Sequence, residues 1–534
     1  MPEIEQQDQQ PKRRTRWGRR LCAAFVVLVL VIFFAGMLLS PGKGDMSGTG
    51  MASEMTAVAA SNVRLLLDES GWRDGSRKVH QEIMPRLLDM IDRADNCIIL
   101  DMFLVNQFGE LPETSADAQD ITDELIQALV RKKRRSPDTF ILFITDPINS
   151  VYEPQCPESF KPLADAGGCV VLTDLRQLPD SNHVYSPFYR VLRPLVTKMP
   201  FVHKPMLDHP FAPDGSGKTE VTLAQYARLL NFKANHRKIA MIRNKAGEWE
   251  ALVSSANPHT ASGMHGNAAV YLRAGPISDM VRSEYLIARS SILSQPGYCF
   301  GALSAPELTR ELEQRLKALQ VSAVDETEAE DAVLVQYLSE MKIGAKLDWM
   351  LDGAEEGDMV SLMMFYLSDP DAVDGMLAAC ERGAMVRILL DPNKDAFGFK
   401  KEGVPNRLVA ERLVKRAEEA GADLKIRWFT THGEQAHYKL IRIHNKNTGK
   451  EQLLTGSANF TRRNLRGYNL EAAVYVEGAS AAGRKAAVFF DRAWNNRNET
   501  KYTAAVDEYE IQGMAYVFGR LKLFLGTHLG LGTY

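Results

Sequence analysis

The chain has 534 residues, long enough for two or three ordinary domains or for one large duplicated one. With 45% hydrophobic and 25% charged residues it is neither a disordered chain nor a fibre. Residues 1–20 hold six Lys/Arg and three acids, so the remainder carries 58 basic against 64 acidic residues, a balance that argues against bulk nucleic-acid binding and leaves only a local basic groove possible.

Residues 1–20 read as a basic cytoplasmic tail, and residues 21–39 as a transmembrane anchor with no charge and a single glycine. At ~1.5 Å per residue such a helix spans about 28 Å, close to the hydrocarbon thickness of a bilayer. Lys12, Arg13, Arg14, Arg16, Arg19 and Arg20 precede it, which keeps the N-terminus in the cytoplasm and exports the chain beyond Ser40. The expected location is a bacterial-type inner membrane, crossed once, with a periplasmic domain. The apolar run is longer than that of a signal peptide and no small-x-small cleavage site comes after it, so it reads as uncleaved.

Residues 40–74 read as a stalk and linker, because 40–60 is rich in Gly, Ser, Ala and Met and shows no periodicity. Two α/β halves come next, 75–321 and 333–534, separated by the acidic linker 322–332 (SAVDETEAEDA) after an apparent helix at 306–320. The first half has an apolar strand run at 97–104, a helix around 121–130, and a second strand ending in Asp146-Pro147. The second half has a strand at 360–366, a helix around 371–380, and a strand ending in Asp391-Pro392. This alternation predicts βαβ units in mostly parallel sheets, and its recurrence indicates duplication.

Three weaker features complete the pass. The basic run 131–135 reads as a solvated helix end. Val517, Phe518, Leu521, Phe524 and Leu525 recur at helical spacing and are expected to pack against the core, with a membrane-facing helix as the alternative. Cys156 and Cys169 are either a disulfide or two free thiols.

The second repeat carries chemistry. One half reads Asn235-His236-Arg237-Lys238 entering an apolar run, then Ser254-Ser255-Ala256-Asn257, then Asn267. The other reads His437-Tyr438-Lys439 entering an apolar run, then Gly456-Ser457-Ala458-Asn459, then Asn469-Leu470-Glu471. Counted from each His, Lys stands at +2, Ser at +19 or +20, Asn at +21 or +22, and a further Asn at +31 or +32. Residues i and i+2 of a strand share a face, so each His and Lys project together. The Ser-x-Asn that ends the next apolar run comes beside them across a hairpin. Imidazole, ammonium, hydroxyl and carboxamide form a set that grips a phosphate oxyanion and leaves one group to attack or to donate a proton. Two such sets make a phosphodiester site, in which one His attacks phosphorus and the other protonates the leaving oxygen. No Cys/His spacing suits zinc, and no metal or other cofactor is expected.

These paired motifs resemble the phospholipase D superfamily, whose pattern is a duplicated HxK(x)4D followed by GSxN, over roughly residues 75–530. The resemblance implies two α/β halves packed about a pseudo-twofold axis, one active site between them, a covalent phospho-His intermediate and no metal. It implies catalytic roles for His236, Lys238, His437, Lys439 and Glu471, with His236 as nucleophile and His437 as acid and then base. Ser255, Asn257, Ser457 and Asn459 are expected to hold the phosphate, with Asn267 and Asn469 in support. The acid of HxK(x)4D is replaced here by Arg243 and His444. The carboxylate that orients a His is present as Glu471 in the second half, whereas Ala269 stands at the corresponding count in the first. By that count Glu471 serves His437, and His236 has no carboxylate unless Asn267 or His265 substitutes. The implied activity is that of a membrane-anchored phosphodiesterase, similar to phospholipase D or cardiolipin synthase, that hydrolyses or transphosphatidylates phospholipids. Its partners would be a phospholipid or other phosphodiester substrate and the bilayer, with no stable nucleic-acid partner. A membrane-anchored nuclease and a catalytically impaired headgroup-binding module are the alternatives.

Overall fold

Two nine-stranded sheets, one from each half, share the same plan. The computed structural model describes residues 12–40, 46, 50–107, 120–210, 220–319, 331–396, 399–400 and 402–533. From edge to edge the first sheet runs Cys299–Phe300, Cys169–Leu172, Phe140–Thr145, Ala94–Met102, Lys238–Asn244, Trp249–Ser254, Asn267–Leu272, Val63–Arg73, Ser76–His80. The second repeats that order strand for strand: Thr503–Ala505, Leu424–Phe429, Met385–Leu390, Met359–Met364, Lys439–Asn445, Lys450–Gly456, Ala472–Glu477, Ala332–Ser339, Thr56–Ala59.

The expected strand–helix–strand units supply the parallel pairs. Ala94–Met102, Phe140–Thr145 and Cys169–Leu172 are parallel neighbours, as are Met359–Met364, Met385–Leu390 and Leu424–Phe429. The other joins in the two sheets are antiparallel, so the sheets are mixed rather than mostly parallel. Connection length is the reason. Residues 245–248 and 446–449 link the His-x-Lys strands to the next strands, and so short a link permits a hairpin but no parallel crossover.

Alternation along these strands decides what packs where. Ile239 and Met241 enter a core shared by the two halves, with Val270, Leu440 and Val474. Ala240 and Ile242 point the other way, toward Leu125 and Leu129 of the helix Ile121–Arg135. In the second half Leu440 joins the shared core, while Ile441 and Ile443 meet Val373 and Leu377 of the helix Pro370–Glu381. The shared core holds the two sheets against each other and brings together the chain ends that enter the two His-x-Lys strands.

Several expectations change in the fold. The stretch 40–74 is not a stalk along its length: Thr56–Ala59 pairs with Ala332–Ser339 of the second half, and Val63–Arg73 is an inner strand of the first sheet. Backbone pairing captures this Gly/Ser/Ala-rich segment despite its lack of apolar periodicity. Of the acidic linker 322–332, residues 322–330 lie outside the described residues. The C-terminal helix Gly513–Leu529 leaves Val517, Phe518, Leu521 and Phe524 exposed, and it packs instead through Gly519, Leu523 and Gly526. All six cysteines, Cys156 and Cys169 among them, are free thiols. The basic run ends the helix Ile121–Arg135, where Lys132 donates to the Asp92 carbonyl at 2.8 Å and Arg135 pairs with the Asp92 carboxylate at 2.7 Å.

The N-terminal helix Lys12–Leu38 has a mean hydropathy of 3.0 within Arg19–Leu38, which makes it long and apolar enough to cross a membrane. It packs on the helix Tyr185–Val196, with the Phe33 and Phe188 rings 5.6 Å apart.

Candidate active site

The two Asp-Pro turns, visible in the sequence as a sign of duplication, have a positional role. The Asp146 carboxylate accepts from the Asn235 backbone N–H at 2.7 Å, and Asp391 accepts from that of Ala436 at 2.8 Å. Each therefore fixes the residue immediately before a candidate His. The same two residues also bridge to the opposite half, Asn235 to Leu470 and Ala436 to Gly266. The His236 N–H completes one of these crossings by donating to the Leu470 carbonyl at 2.8 Å.

That crossing decides which group faces each imidazole. His236 Nδ1 lies 2.9 Å from Glu471 Oε1, a carboxylate of the other half, and the His236 side chain is 12% exposed, enough to be reached from the cleft. His437 Nδ1 lies 3.2 Å from Asn267 Oδ1, again across the halves. The assignment of Glu471 to His437 is thus corrected, and so is the comparison of Glu471 with Ala269. Ser254 pairs with Ala269 and Gly456 with Ala473, which makes Asn267 the positional equivalent of Glu471. The segment from Asn459 to Glu471 is two residues longer than that from Asn257 to Asn267 and contains the short helix Arg462–Leu465, so counting along the chain misplaces the acid.

Lys238 and Lys439 are buried beside their imidazoles, and each donates to the carbonyl of its own His, at 2.7 and 2.9 Å. Under each pair lies an aromatic ring that sequence reasoning read only as strand. Phe103 is 4.8 Å from the His236 ring and 5.0 Å from Lys238 Nζ, and Phe365 is 4.9 Å from His437 and 5.1 Å from Lys439 Nζ. The recurrence of Met-Phe at 102–103 and 364–365 is the signal that could have revealed them.

Burial dominates the charges. It lowers His236 to about 4, although Glu471 pulls the other way. It lowers His437 well below the ordinary imidazole range, helped by Lys439 and His265. It brings Lys238 down to about 7 and lowers Lys439 well below the ordinary lysine range, with nearby Lys238 adding to the effect of burial. Burial pushes Glu471 up, but His236, Lys238 and Ser457 outweigh it and hold the carboxylate ionised. An arriving phosphodiester favours the charged lysines, and two ammonium groups with one carboxylate and two neutral imidazoles then carry one surplus positive charge, matched to its single negative charge.

The remaining expected residues divide. Asn257 and Asn459 are buried, and their Oδ1 atoms have no hydrogen-bond partner among the described residues. Ser255 and Ser457 do not point to a phosphate. Ser255 Oγ donates to Asn267 Oδ1 at 3.0 Å and accepts from Ala268 N, while Ser457 Oγ donates to Glu471 and accepts from Ala472 N. A hydroxyl has one proton, and here it orients the group that orients the His. Asn469 is structural, its Oδ1 accepting from the Ala234 N–H at 3.2 Å. Arg243 and His444 sit at the far ends of their strands, bonded to Gly247 and Glu451. Among the described residues no cluster of three or more His, Cys, Asp or Glu could hold a metal ion.

The arrangement can bind a phosphodiester anion, present one imidazole lone pair to phosphorus and offer a second imidazole to the leaving oxygen. Residues 349–494 match the family described as "Cardiolipin synthase, PLD-like domain". A search of curated proteins finds no match to this sequence. The crystal structure of phosphatidylserine synthase from Haemophilus influenzae Rd KW20 is similar in fold, with a TM-score of 0.50 and 12% identity over 88% of this chain and 94% of that one. The phospholipase D family member Nuc from Salmonella typhimurium aligns at a TM-score of 0.25 and 19% identity, over 32% of this chain and 99% of that one. The family match thus covers most of the second half, and the solved structure shows that the fold is shared over most of the chain.

Proposed function

We propose that this chain is a membrane-anchored phosphodiesterase of phospholipase D type, which cleaves phospholipids or transfers their phosphatidyl group through a phospho-His formed on His236. The observation that carries the reading is the unequal pairing of the two imidazoles, His236 with the Glu471 carboxylate and His437 with the Asn267 amide. In this scheme His236 Nδ1–H donates to Glu471, which leaves the Nε2 lone pair to attack phosphorus. Glu471 balances the positive charge that the phosphorylated ring acquires. As the P–Nε2 bond forms, the P–O bond to the leaving alcohol breaks, and His437 gives its Nε2 proton to that oxygen. An imidazolium without a carboxylate partner is the stronger acid of the two, which suits this step. The neutral His437 then takes a proton from water or an incoming alcohol as that oxygen attacks phosphorus, and His236 is released. Lys238, Lys439, Asn257 and Asn459 hold the non-bridging oxygens, and the arriving anion offsets the lysine charge that helps keep His437 unprotonated.

The membrane part of the reading is supported by the apolar helix and the basic residues ahead of it, with the catalytic domain on the periplasmic side. The test combines turnover and trapping. Purified protein is given a phospholipid and an oligonucleotide side by side, with bis(p-nitrophenyl) phosphate as a neutral reporter. The reaction is stopped without acid, and peptides containing each His are weighed. The phosphoryl adduct is expected on His236, accumulating in His437→Asn with the p-nitrophenyl substrate, and lipid is expected to turn over faster than oligonucleotide. An adduct on His437 reverses the roles, and faster oligonucleotide cleavage makes the chain a nuclease.

A further inference from the structure

Away from the two imidazoles the structure has a cavity of about 330 Å³ beside the helix Tyr185–Val196. Its charged lining is unequal, with Arg176, Arg190, Arg193, Arg228 and Lys233 against Asp174 and Asp180. Asp174 is taken by Arg176 in a bidentate pair at 2.8 and 2.9 Å. Asp180 is shared by Lys233, at 2.9 Å, and Arg190. Arg228 donates a hydrogen bond to the Tyr152 carbonyl but meets no carboxylate among the described residues, and the Arg193 side chain has no hydrogen bond or ion pair among them. The cavity therefore holds three more cations than anions, an imbalance that an anionic ligand relieves.

Its position is as specific as its charge. Ser40 Oγ, just beyond the apolar helix, donates to Asp180 at 3.1 Å, so a wall of the cavity is tied directly to the end of the candidate membrane span. Phe33 of that span packs on Phe188 of the helix that lines the cavity. The same region exposes Leu195, Met199, Phe201 and Met206, apolar side chains of the kind that a lipid surface accepts. None of the His-x-Lys or Ser-x-Asn residues lines the cavity.

We propose that this cavity is a second phosphate site, which holds the headgroup phosphate of an anionic phospholipid at the bilayer surface. The proposal rests on the membrane-anchored reading of the chain. Phosphate is the recognised chemistry, and the exposed apolar side chains with the tie to Ser40 favour a lipid over a free ion as its source. The three surplus cations favour a net anionic lipid over a zwitterionic one.

The test uses the full chain reconstituted in phosphatidylcholine vesicles that contain phosphatidylglycerol with a photoreactive group on its headgroup. After irradiation, label is expected on peptides from 174–198 and 225–233. It should fall at least fivefold in Arg193→Gln, be retained in Arg193→Lys, and be displaced by unlabelled phosphatidylglycerol but not by phosphatidylcholine. Displacement by millimolar inorganic phosphate with none by phosphatidylglycerol overturns the lipid assignment, and label indifferent to Arg193→Gln overturns the site. Turnover of bis(p-nitrophenyl) phosphate by the same variants is expected to be unchanged, and its loss would make the cavity part of the two-His site. Label in the cavity without turnover of any lipid by the native chain would count against the proposed activity while leaving this site intact.

Discussion

Glu471 lies 2.9 Å from Nδ1 of His236, in the other half of the chain, and Asn267 returns the contact at 3.2 Å from Nδ1 of His437. Each half thus supplies the group that fixes the tautomer of the other half's imidazole, and only one of those groups is charged. Neither half contains a complete site.

Glu471→Gln keeps the shape of the contact and removes its charge, so in the proposed scheme a phosphorylated His236 would lose its counter-ion. We expect kcat on bis(p-nitrophenyl) phosphate to fall about 10²–10⁴-fold, by analogy with the loss of the carboxylate behind a catalytic His. Asn267→Ala should slow the first-turnover release of p-nitrophenolate by at most about tenfold, because that group leaves without a proton, and slow it more on substrates with alkyl leaving groups. Equal losses in the two variants on the p-nitrophenyl substrate would remove the distinction between nucleophile and acid.

The pH dependence of kcat/KM reports the free enzyme. Lys238 must be protonated to hold an anion and lies at about 7, while His236 must be neutral to attack and lies at about 4. On bis(p-nitrophenyl) phosphate, whose leaving group needs no proton from His437, activity at low substrate should therefore decline above about pH 7 and below about pH 4. In kcat the upper limb should move to higher pH, because bound phosphate favours the charged lysine. A kcat/KM profile flat to pH 9 would contradict the burial of Lys238.

Burial of that ammonium also has a stability consequence. A lysine lowered from 10.5 to about 7 binds its proton less well in the folded chain than in the unfolded one between those values. Its cost is complete below about pH 7, at up to about 5 kcal/mol, and fades as the pH rises toward 10.5. Lys238→Met should abolish turnover yet raise Tm by a few degrees at pH 6, with the gain shrinking by pH 10. Thermal scans at the two pH values decide it, and a lower Tm at pH 6 would show that the charge is better compensated than its surroundings indicate.

The topology is open to a direct check. Six basic residues lie ahead of the apolar helix and Lys43 alone comes closely after it, so a reporter fused after residue 534 should be active outside the cytoplasm. Activity confined to the cytoplasm would mean that the helix does not export the domain.

Local pattern made a large part of this protein legible. The charge-free run, the strand–helix–strand units and the two His-x-Lys strands all stem from rules that act within about twenty residues, and the structure places His236 with Lys238 and His437 with Lys439 as that spacing requires. The Asp-Pro turns and the Met-Phe pairs were equally visible, but what Asp146, Asp391, Phe103 and Phe365 touch was not. Only the tertiary structure decided that Thr56–Ala59 joins the second sheet, that Ser255 and Ser457 orient Asn267 and Glu471, and that Glu471 serves His236. The first and the last of these contacts cross from one half to the other. A crossing depends on the packing of two sheets through their shared core and on a two-residue difference in one connection, and offsets counted along a single strand of chain carry no information about either.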